Sequence, residues 1–159
     1  MISYIYIDGW KANIRFSAAH IIPDYEKCGR LHGHTYAVHA RIDGIPDKKG
    51  IIIDFSTLKN ILKEVVEDLD HKVLIPEKSD KVELVKENNQ LKLDAQGKQY
   101  FLPLDDCVLL PLDSTSAENL AGYLLKKVLE KVNFSKRIKS LEIGVDEGFG
   151  QGVRVIKKL

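Results

Sequence analysis

The sequence has very few cysteines and no long apolar segment. Cys28 and Cys107 are its only thiols, too few for a disulfide framework and typical of a reducing compartment. No apolar run approaches the ~20 residues that cross a bilayer. The first residues, MISYIYIDGW, alternate and carry charge, which predicts a strand rather than a secretory signal. We therefore expect a cytoplasmic protein with no membrane partner.

An excess of charge of either sign is also missing. The chain has 24 basic and 23 acidic residues and a formal net charge of +1, so its composition gives no support for a nucleic-acid partner. Its 159 residues are 44% hydrophobic and 30% charged, as in an ordinary globular protein. This length fits one sizeable core, and we expect a single domain over residues 1–159.

Alternating apolar residues predict several strands. The predicted strands, of which the first is single or a bent pair, cover 2–19, 32–43, 138–147 and 152–158. Residues 82–112 also alternate, and Asn-Asn and Gln-Gly interrupt them. Such dipeptides are typical of tight hairpin turns. We therefore expect short antiparallel strands here, as a β-rich insertion at about 78–112.

Apolar stripes predict two amphipathic helices. The first covers about 56–69, with Asp54 or Ser56 as its N-cap. The second runs to about 132 from Thr115-Ser116-Ala117-Glu118, which has the form of a capping box. In that interpretation the cap explains Glu118 fully.

Three histidines indicate a metal site. His32 and His34 lie two residues apart in HGH, so on a strand their side chains point to the same side. His20 ends the FSAAH strand and supplies a third nitrogen if the two strands pair. Three nitrogens with an open fourth position are the pattern of catalytic zinc. The spacing alone is also compatible with three unrelated histidines.

Cys28 precedes this HGH motif by four residues. A thiol near a cation ionises readily and is then a competent base or nucleophile. Alternatively, Cys28 is a fourth zinc ligand, which would close the site and prevent catalysis. The spacing does not decide between the two. Cys107 follows Asp-Asp and precedes VLLPL, which favours a buried structural thiol.

Two further acidic positions have structural explanations by pattern alone. Asp70-His71 falls where the first helix ends, and a histidine there is favoured by the helix dipole. Glu147 ends an apolar strand face, so it either reaches solvent or must find hydrogen-bond donors. The adjacent N–H groups of a planar ligand would supply two such donors.

The motifs together resemble a known family. FSAAH, KCGRLHGH, GIIIDF, LDH, TSAENLA and Glu147 occur in this order, and they cover most of the chain outside 82–112. This combination is similar to the 6-pyruvoyl-tetrahydropterin synthase superfamily. Three residues separate Cys28 from HGH, as in members that resemble 6-carboxy-tetrahydropterin synthase, whereas members that make pyruvoyl-tetrahydropterin usually have five.

The resemblance implies a role for each motif. The implied zinc ligands are His20, His32 and His34. Cys28 would be the general acid or base, paired with His71, which Asp70 orients. The implied pterin-binding residues are Glu147, Ser116 and Glu118, where Ser116 replaces the threonine of many members.

The resemblance also implies a fold, an assembly and a reaction. The fold is the α+β tunnelling fold, in which an antiparallel sheet carries two helices on one face and the subunits form a barrel. Members are commonly homohexamers with active sites between subunits. The implied reaction converts 7,8-dihydroneopterin triphosphate to 6-carboxy-5,6,7,8-tetrahydropterin, releasing acetaldehyde and triphosphate. The alternatives are triphosphate elimination without carbon–carbon cleavage and a non-catalytic zinc-binding protein.

Overall fold

The computed structural model describes residues 1–159 as ten strands and two α-helices. The strands are β1 (Ser3–Ile7), β2 (Arg15–His20), β3 (His32–Gly44), β4 (Lys72–Pro76), β5 (Val82–Glu87), β6 (Gln90–Ala95), β7 (Lys98–Pro103), β8 (Cys107–Leu110), β9 (Ile138–Glu147) and β10 (Gly152–Lys158). The helices are α1 (Phe55–Glu67) and α2 (Ala117–Lys131). None of the helices is long and apolar enough to cross a membrane.

Seven strands form the main sheet. Its order is β10-β9-β3-β2-β4-β8, and β1 also pairs with β3. Strands β1 and β2 lie end to end along β3, so the N-terminal segment is a bent pair. The strands from β10 to β2 are antiparallel, whereas β4 runs parallel to both β2 and β8. The short strand β4 was not expected from the sequence.

The helices cover one face of this sheet and enclose the main core. Asp54 caps α1, because its Oδ2 accepts a hydrogen bond from the backbone N–H of Thr57 at 2.7 Å. The stripe Leu58, Leu62, Val65 and Val66 is buried, as the periodicity predicts. It shares one apolar cluster with α2 and with the helix-facing residues of β2, β3 and β9.

The capping-box interpretation of α2 is wrong by one residue. The N-cap is Ser116, whose Oγ accepts a hydrogen bond from the backbone N–H of Asn119 at 3.3 Å. Thr115 is fully buried, and its carbonyl is hydrogen-bonded to His20. The cap therefore moves to the next hydroxyl, and Glu118 is exposed in the first turn of the helix without a capping role.

Strands β5, β6 and β7 form a separate antiparallel sheet, called the small sheet below. Two-residue turns connect its strands, and Asn88, Asn89, Gln96 and Gly97 all have positive φ, the geometry of type I′ hairpins. The inner side chains of β6 are buried in a second apolar cluster with Ile21 and residues of β4 and β8. The small sheet is thus anchored on the main sheet beside the end of β2.

Candidate active site

The pairing of β2 with β3 brings the three histidines together. His20 lies directly opposite His32 in the antiparallel register, and Ala18 lies opposite His34. All three histidines project from the same face because they occupy alternate positions on paired strands. One ligand nitrogen from each lies within 4.8 Å of the others. The small side chain of Ala18 leaves room for this close approach.

Backbone carbonyls fix the orientation of two imidazoles. Nδ1 of His20 lies 2.9 Å from the Thr115 carbonyl oxygen, and Nδ1 of His32 lies 2.7 Å from that of Arg30. A carbonyl can only accept, so each Nδ1 carries the proton. This leaves the Nε2 lone pairs free, as in histidines that bind metals.

The distance between these lone pairs fits a shared cation. Nε2 of His20 and Nε2 of His32 are 3.1 Å apart, and burial lowers the pKa of His20 to about 4, so this ring is neutral at pH 7. Two lone pairs directed at each other across this distance would repel, and a cation shared between the two nitrogens would remove that repulsion. Tetrahedral zinc with Zn–N bonds of 2.0–2.1 Å separates its nitrogen ligands by about 3.3 Å. The donor set therefore fits zinc.

Four of the residues singled out in the sequence line one cavity. Cys28, Ser116, Glu118 and Glu147 border a space of about 640 Å³, called the Cys28 cavity below. Its volume is in the range of small-molecule sites. Cys28 is exposed, and its sulfur is not part of the cluster of histidine nitrogens. The cavity thus offers a thiol and two carboxylates to a ligand.

Glu147 connects this cavity with the histidines. Its Oε1 lies 3.9 Å from Nε2 of His20, and 22% of its side chain is exposed. Tyr36 is its partner on β3 and is fully buried. Burial raises the pKa of the Tyr36 hydroxyl, and the Glu147 carboxylate raises it further, so Tyr36 stays protonated. A ligand held by Glu147 would therefore lie beside the histidine cluster.

Asp70 and His71 form a hydrogen-bonded pair at a different surface. Asp70 Oδ2 lies 2.9 Å from Nδ1 of His71, and its Oδ1 accepts from the backbone N–H of Ser17 at 2.8 Å. The Ser17 hydrogen bond and the one to His71 lower the pKa of Asp70, against its slight desolvation. His71 has φ of 58°, which turns it out of the helical path.

His71 does not reach Cys28 within one chain. Its side chain is 82% exposed, and it lines a pocket with Lys72 and Asp106 that shares no residue with the Cys28 cavity. Pairing of the two residues would need a second subunit. The expected role of the Asp70–His71 pair therefore remains a prediction.

Sequence reasoning missed several residues of the site. Tyr36 continues the alternation of HGHTY, so the period of two could have found it. Tyr25 and Gln151 line the Cys28 cavity from loops and give no periodic signal. Thr115 acts through its carbonyl, a group that every residue has, and no side-chain pattern could have assigned it.

Comparisons with known proteins identify the family of this chain. The profile of the family described as 6-pyruvoyl tetrahydropterin synthase matches residues 10–157. A protein of Methanocaldococcus jannaschii, provisionally assigned as a 6-carboxy-5,6,7,8-tetrahydropterin synthase, is 36% identical over 152 residues, or 92% of this chain and 91% of that protein. The 6-carboxy-5,6,7,8-tetrahydropterin synthase of Haemophilus influenzae is 44% identical over 62 residues, or 35% of this chain and 44% of that protein.

A solved structure has the same fold over its whole length. The crystal structure of 6-pyruvoyl tetrahydropterin synthase from Plasmodium vivax has a TM-score of 0.93 and 29% identity, covering 100% of this chain and 99% of that one. The match includes residues 78–112, so the small sheet is not peculiar to this chain. The expected α+β tunnelling fold of the chain is confirmed, whereas its assembly into a barrel stays a prediction. The chain belongs to the 6-pyruvoyl tetrahydropterin synthase family.

Proposed function

We propose that the protein converts 7,8-dihydroneopterin triphosphate and water to 6-carboxy-5,6,7,8-tetrahydropterin, acetaldehyde and triphosphate. The observation that carries this proposal is the arrangement of Glu147, which borders both the Cys28 cavity and the histidine cluster. The relatives named 6-carboxy-tetrahydropterin synthase support the same reaction, as does the spacing of three residues between Cys28 and HGH. The protein is thus a carbon–carbon lyase in this proposal.

Zinc is the proposed cofactor. Nε2 atoms of His20 and His32, with one ring nitrogen of His34, would hold the ion. Bound zinc would polarise the side-chain oxygens of the substrate. Because Cys28 lies outside the histidine cluster, zinc held by three histidines would keep a position for a substrate oxygen.

The side chains of the cavity divide the remaining tasks. Glu147 accepts hydrogen bonds from the N–H groups of the pterin ring and so holds its reacting carbons towards the histidines. Ser116 and Glu118 contact the ring from the first turn of α2. Cys28 transfers protons at the substrate side chain. His71, oriented by Asp70, serves as its partner from a neighbouring subunit.

The second candidate function is the elimination of triphosphate without carbon–carbon cleavage. It is favoured by the full-length similarity to the Plasmodium vivax structure, which is named for the pyruvoyl product. The first experiment is therefore to incubate zinc-loaded protein with dihydroneopterin triphosphate and to measure acetaldehyde and pterin products together. Acetaldehyde with carboxy-tetrahydropterin is the expected result. Triphosphate release without acetaldehyde would instead indicate the elimination reaction without carbon–carbon cleavage.

A single variant separates both reactions from a purely structural zinc site. We expect Cys28→Ala to retain one zinc per chain and to lose turnover, because the thiol is no ligand. Metal content by mass spectrometry and product formation are measured on the same sample. Cys107→Ala is the matched control, since the Cys107 thiol is buried away from the cavity. Loss of zinc from the Cys28 variant would instead indicate a closed, non-catalytic site.

The active enzyme is proposed to be a cytoplasmic homohexamer with no nucleic-acid or membrane partner. The separation of His71 from Cys28 within one chain supports active sites shared between subunits. Light scattering should give six times the 18.0 kDa mass of the chain. A mixture of Cys28→Ala and His71→Ala subunits should regain activity, because some mixed interfaces contain both intact residues. An active monomer would refute this assembly.

A further inference from the structure

The segment that carries Cys28 contacts the small sheet. We propose that the small sheet positions this segment, residues 21–31 (the Cys28 loop), through Gln96, so that Gln96 is a positioning residue for the chemistry of Cys28. This inference rests on the proposed function, because it assigns the small sheet a task in the same reaction. It adds a residue that lies on a hairpin turn outside the cavity.

Gln96 binds the Cys28 loop through both ends of its side-chain amide. Its Oε1 accepts a hydrogen bond from the backbone N–H of Asp24 at 3.0 Å, and its Nε2 donates to the Asp24 carboxylate. Lys81, which precedes β5, lies with Nζ 3.8 Å from the same carboxylate. The amide is thus matched to one backbone group and one side chain of the loop.

The start of the loop is held by apolar packing. Ile21 follows the zinc ligand His20 directly and is only 6% exposed. It belongs to the apolar cluster that contains Leu91, Leu93 and Ala95 of β6. The small sheet therefore fixes the loop at two points, Ile21 and Asp24, whereas Cys28 itself is exposed.

Hydrogen bonds within the loop transmit this constraint to Cys28. The carbonyl of Cys28 accepts from the N–H of Ile22 at 2.7 Å, and the carbonyl of Tyr25 accepts from the N–H of Gly29 at 2.7 Å. A Cβ at Gly29 would lie 2.3 Å from the Tyr25 oxygen, so this turn is tight. Because Asp24 lies between Ile22 and Tyr25, which are both hydrogen-bonded to the Cys28–Gly29 end of the loop, we expect a displacement of Asp24 to move Cys28.

No other hydrogen bond fixes the middle of the loop to the protein. The remaining backbone hydrogen bonds of residues 22–29 are with one another or with Arg30. The hydrogen bonds that connect these residues to the rest of the protein are the two between Asp24 and Gln96. A thiol that transfers protons needs a defined position, since a displacement of about 1 Å can cost ~100-fold in rate. Gln96 is well placed to supply it.

The sharpest test is Gln96→Asn, which keeps the turn and shortens the reach. Gln96 has φ of 55°, and Gly97 follows it. Asn-Gly is a preferred type I′ dipeptide, so this variant should be at least as stable as the parent while its amide is one methylene short of Asp24. Asp24→Asn is the conservative variant of the bonding partner, because the asparagine amide oxygen can still accept the hydrogen bond from Nε2 of Gln96. Gln99→Ala is the matched control, since the side-chain amide of Gln99 is hydrogen-bonded to Asp94 of the same sheet and not to the Cys28 loop.

Two readouts are measured on the zinc-loaded full-length protein. Amide hydrogen exchange at Ile22 and Gly29 reports the order of the loop without any substrate. Steady-state kinetics with dihydroneopterin triphosphate report the position of Cys28. In Gln96→Asn we expect exchange at both amides to accelerate by about tenfold and kcat to fall by about tenfold, with KM within about twofold of the parent. Asp24→Asn and Gln99→Ala should match the parent in both readouts.

Each failure has its own meaning. Unchanged exchange at Ile22 and Gly29 in Gln96→Asn would overturn the proposal, and so would accelerated exchange with an unchanged kcat. A lower melting temperature that accounts for the whole loss of activity would also overturn it. If the parent protein gave neither acetaldehyde nor triphosphate, the proposed function would be refuted, and the exchange measurement alone would then decide whether Gln96 holds the loop.

Discussion

Two of the proposed zinc ligands should respond to truncation in different ways. His20 is 1% exposed and is hydrogen-bonded to the Thr115 carbonyl. His20→Ala leaves a cavity and an unpaired buried carbonyl, which together should lower the free energy of unfolding of the metal-free protein by about 2–4 kcal/mol. For a chain of this size that corresponds to a fall of roughly 4–16 °C in melting temperature. The side chain of His34 is partly exposed and, unlike that of His20, is not hydrogen-bonded to a backbone carbonyl, so His34→Ala should cost less than about 1 kcal/mol.

The same variants should be alike in their response to zinc. Zinc at 100 times its dissociation constant should stabilise the parent by about 2.7 kcal/mol, which corresponds to a rise of roughly 5–11 °C in melting temperature. Loss of one of the three proposed ligands should abolish most of this rise in both variants. The assay is calorimetry of chelator-treated protein with and without added zinc, together with metal analysis. The reasoning would be refuted if metal-free His20→Ala melted with the parent, or if His34→Ala kept the full response to zinc.

Three further predictions concern protonation, packing and the acid–base pair. Burial lowers the pKa of His20 to about 4, so the unfolded chain binds more protons than the folded chain between pH ~4 and ~6.5. The free energy of unfolding of the metal-free protein should therefore fall by up to about 3 kcal/mol as the pH falls through this window. Urea unfolding of the parent and of His20→Gln at several pH values isolates the effect, and identical pH profiles would contradict it. Gly9→Ala should lower the free energy of unfolding by about 3 kcal/mol or more, because the new Cβ would lie 2.2 Å from a backbone oxygen of β3. Gly122→Ala in α2 has open space around the new Cβ and should raise the free energy of unfolding by about 0.5–1 kcal/mol. Equal thermal stabilities of the two variants would contradict this prediction. Asp70→Asn can present an N–H instead of a carboxylate oxygen to Nδ1 of His71, which favours the ring proton on Nε2. We therefore expect kcat to fall by about 100-fold, with the stabilisation by zinc unchanged. An unchanged kcat would remove the Asp70–His71 pair from the mechanism.

Local patterns were sufficient for most elements. The period of 3.6 in Leu58, Leu62 and Val65 located α1, and the Asn-Asn and Gln-Gly pairs located both turns of the small sheet. These features depend on neighbours in the chain, so the sequence contains their whole explanation. The HGH motif likewise placed His32 and His34 on one face because a strand alternates.

Features that depend on distant contacts were not predictable in the same way. Strand β4 has only five residues, too few for a periodic signal, and its parallel pairing with β2 and β8 is non-local. Both Thr115 and Ser116 are residue types that cap helices. Thr115 is held by the hydrogen bond between its carbonyl and His20, so Ser116 is the N-cap. The position of His71 relative to Cys28 depends on assembly, and no pattern within one chain contains it.

The antiparallel register of β2 and β3 has a consequence for folding. His20 faces His32 across the strands, with Ala18 opposite His34. A slip of one residue would turn both histidines of β3 to the opposite face of the sheet, where His20 could not join them. Only the correct register brings the three imidazoles together, so a bound zinc ion would stabilise this strand pairing over a one-residue slip, in addition to the burial of Phe16 and Tyr36 on the same strands.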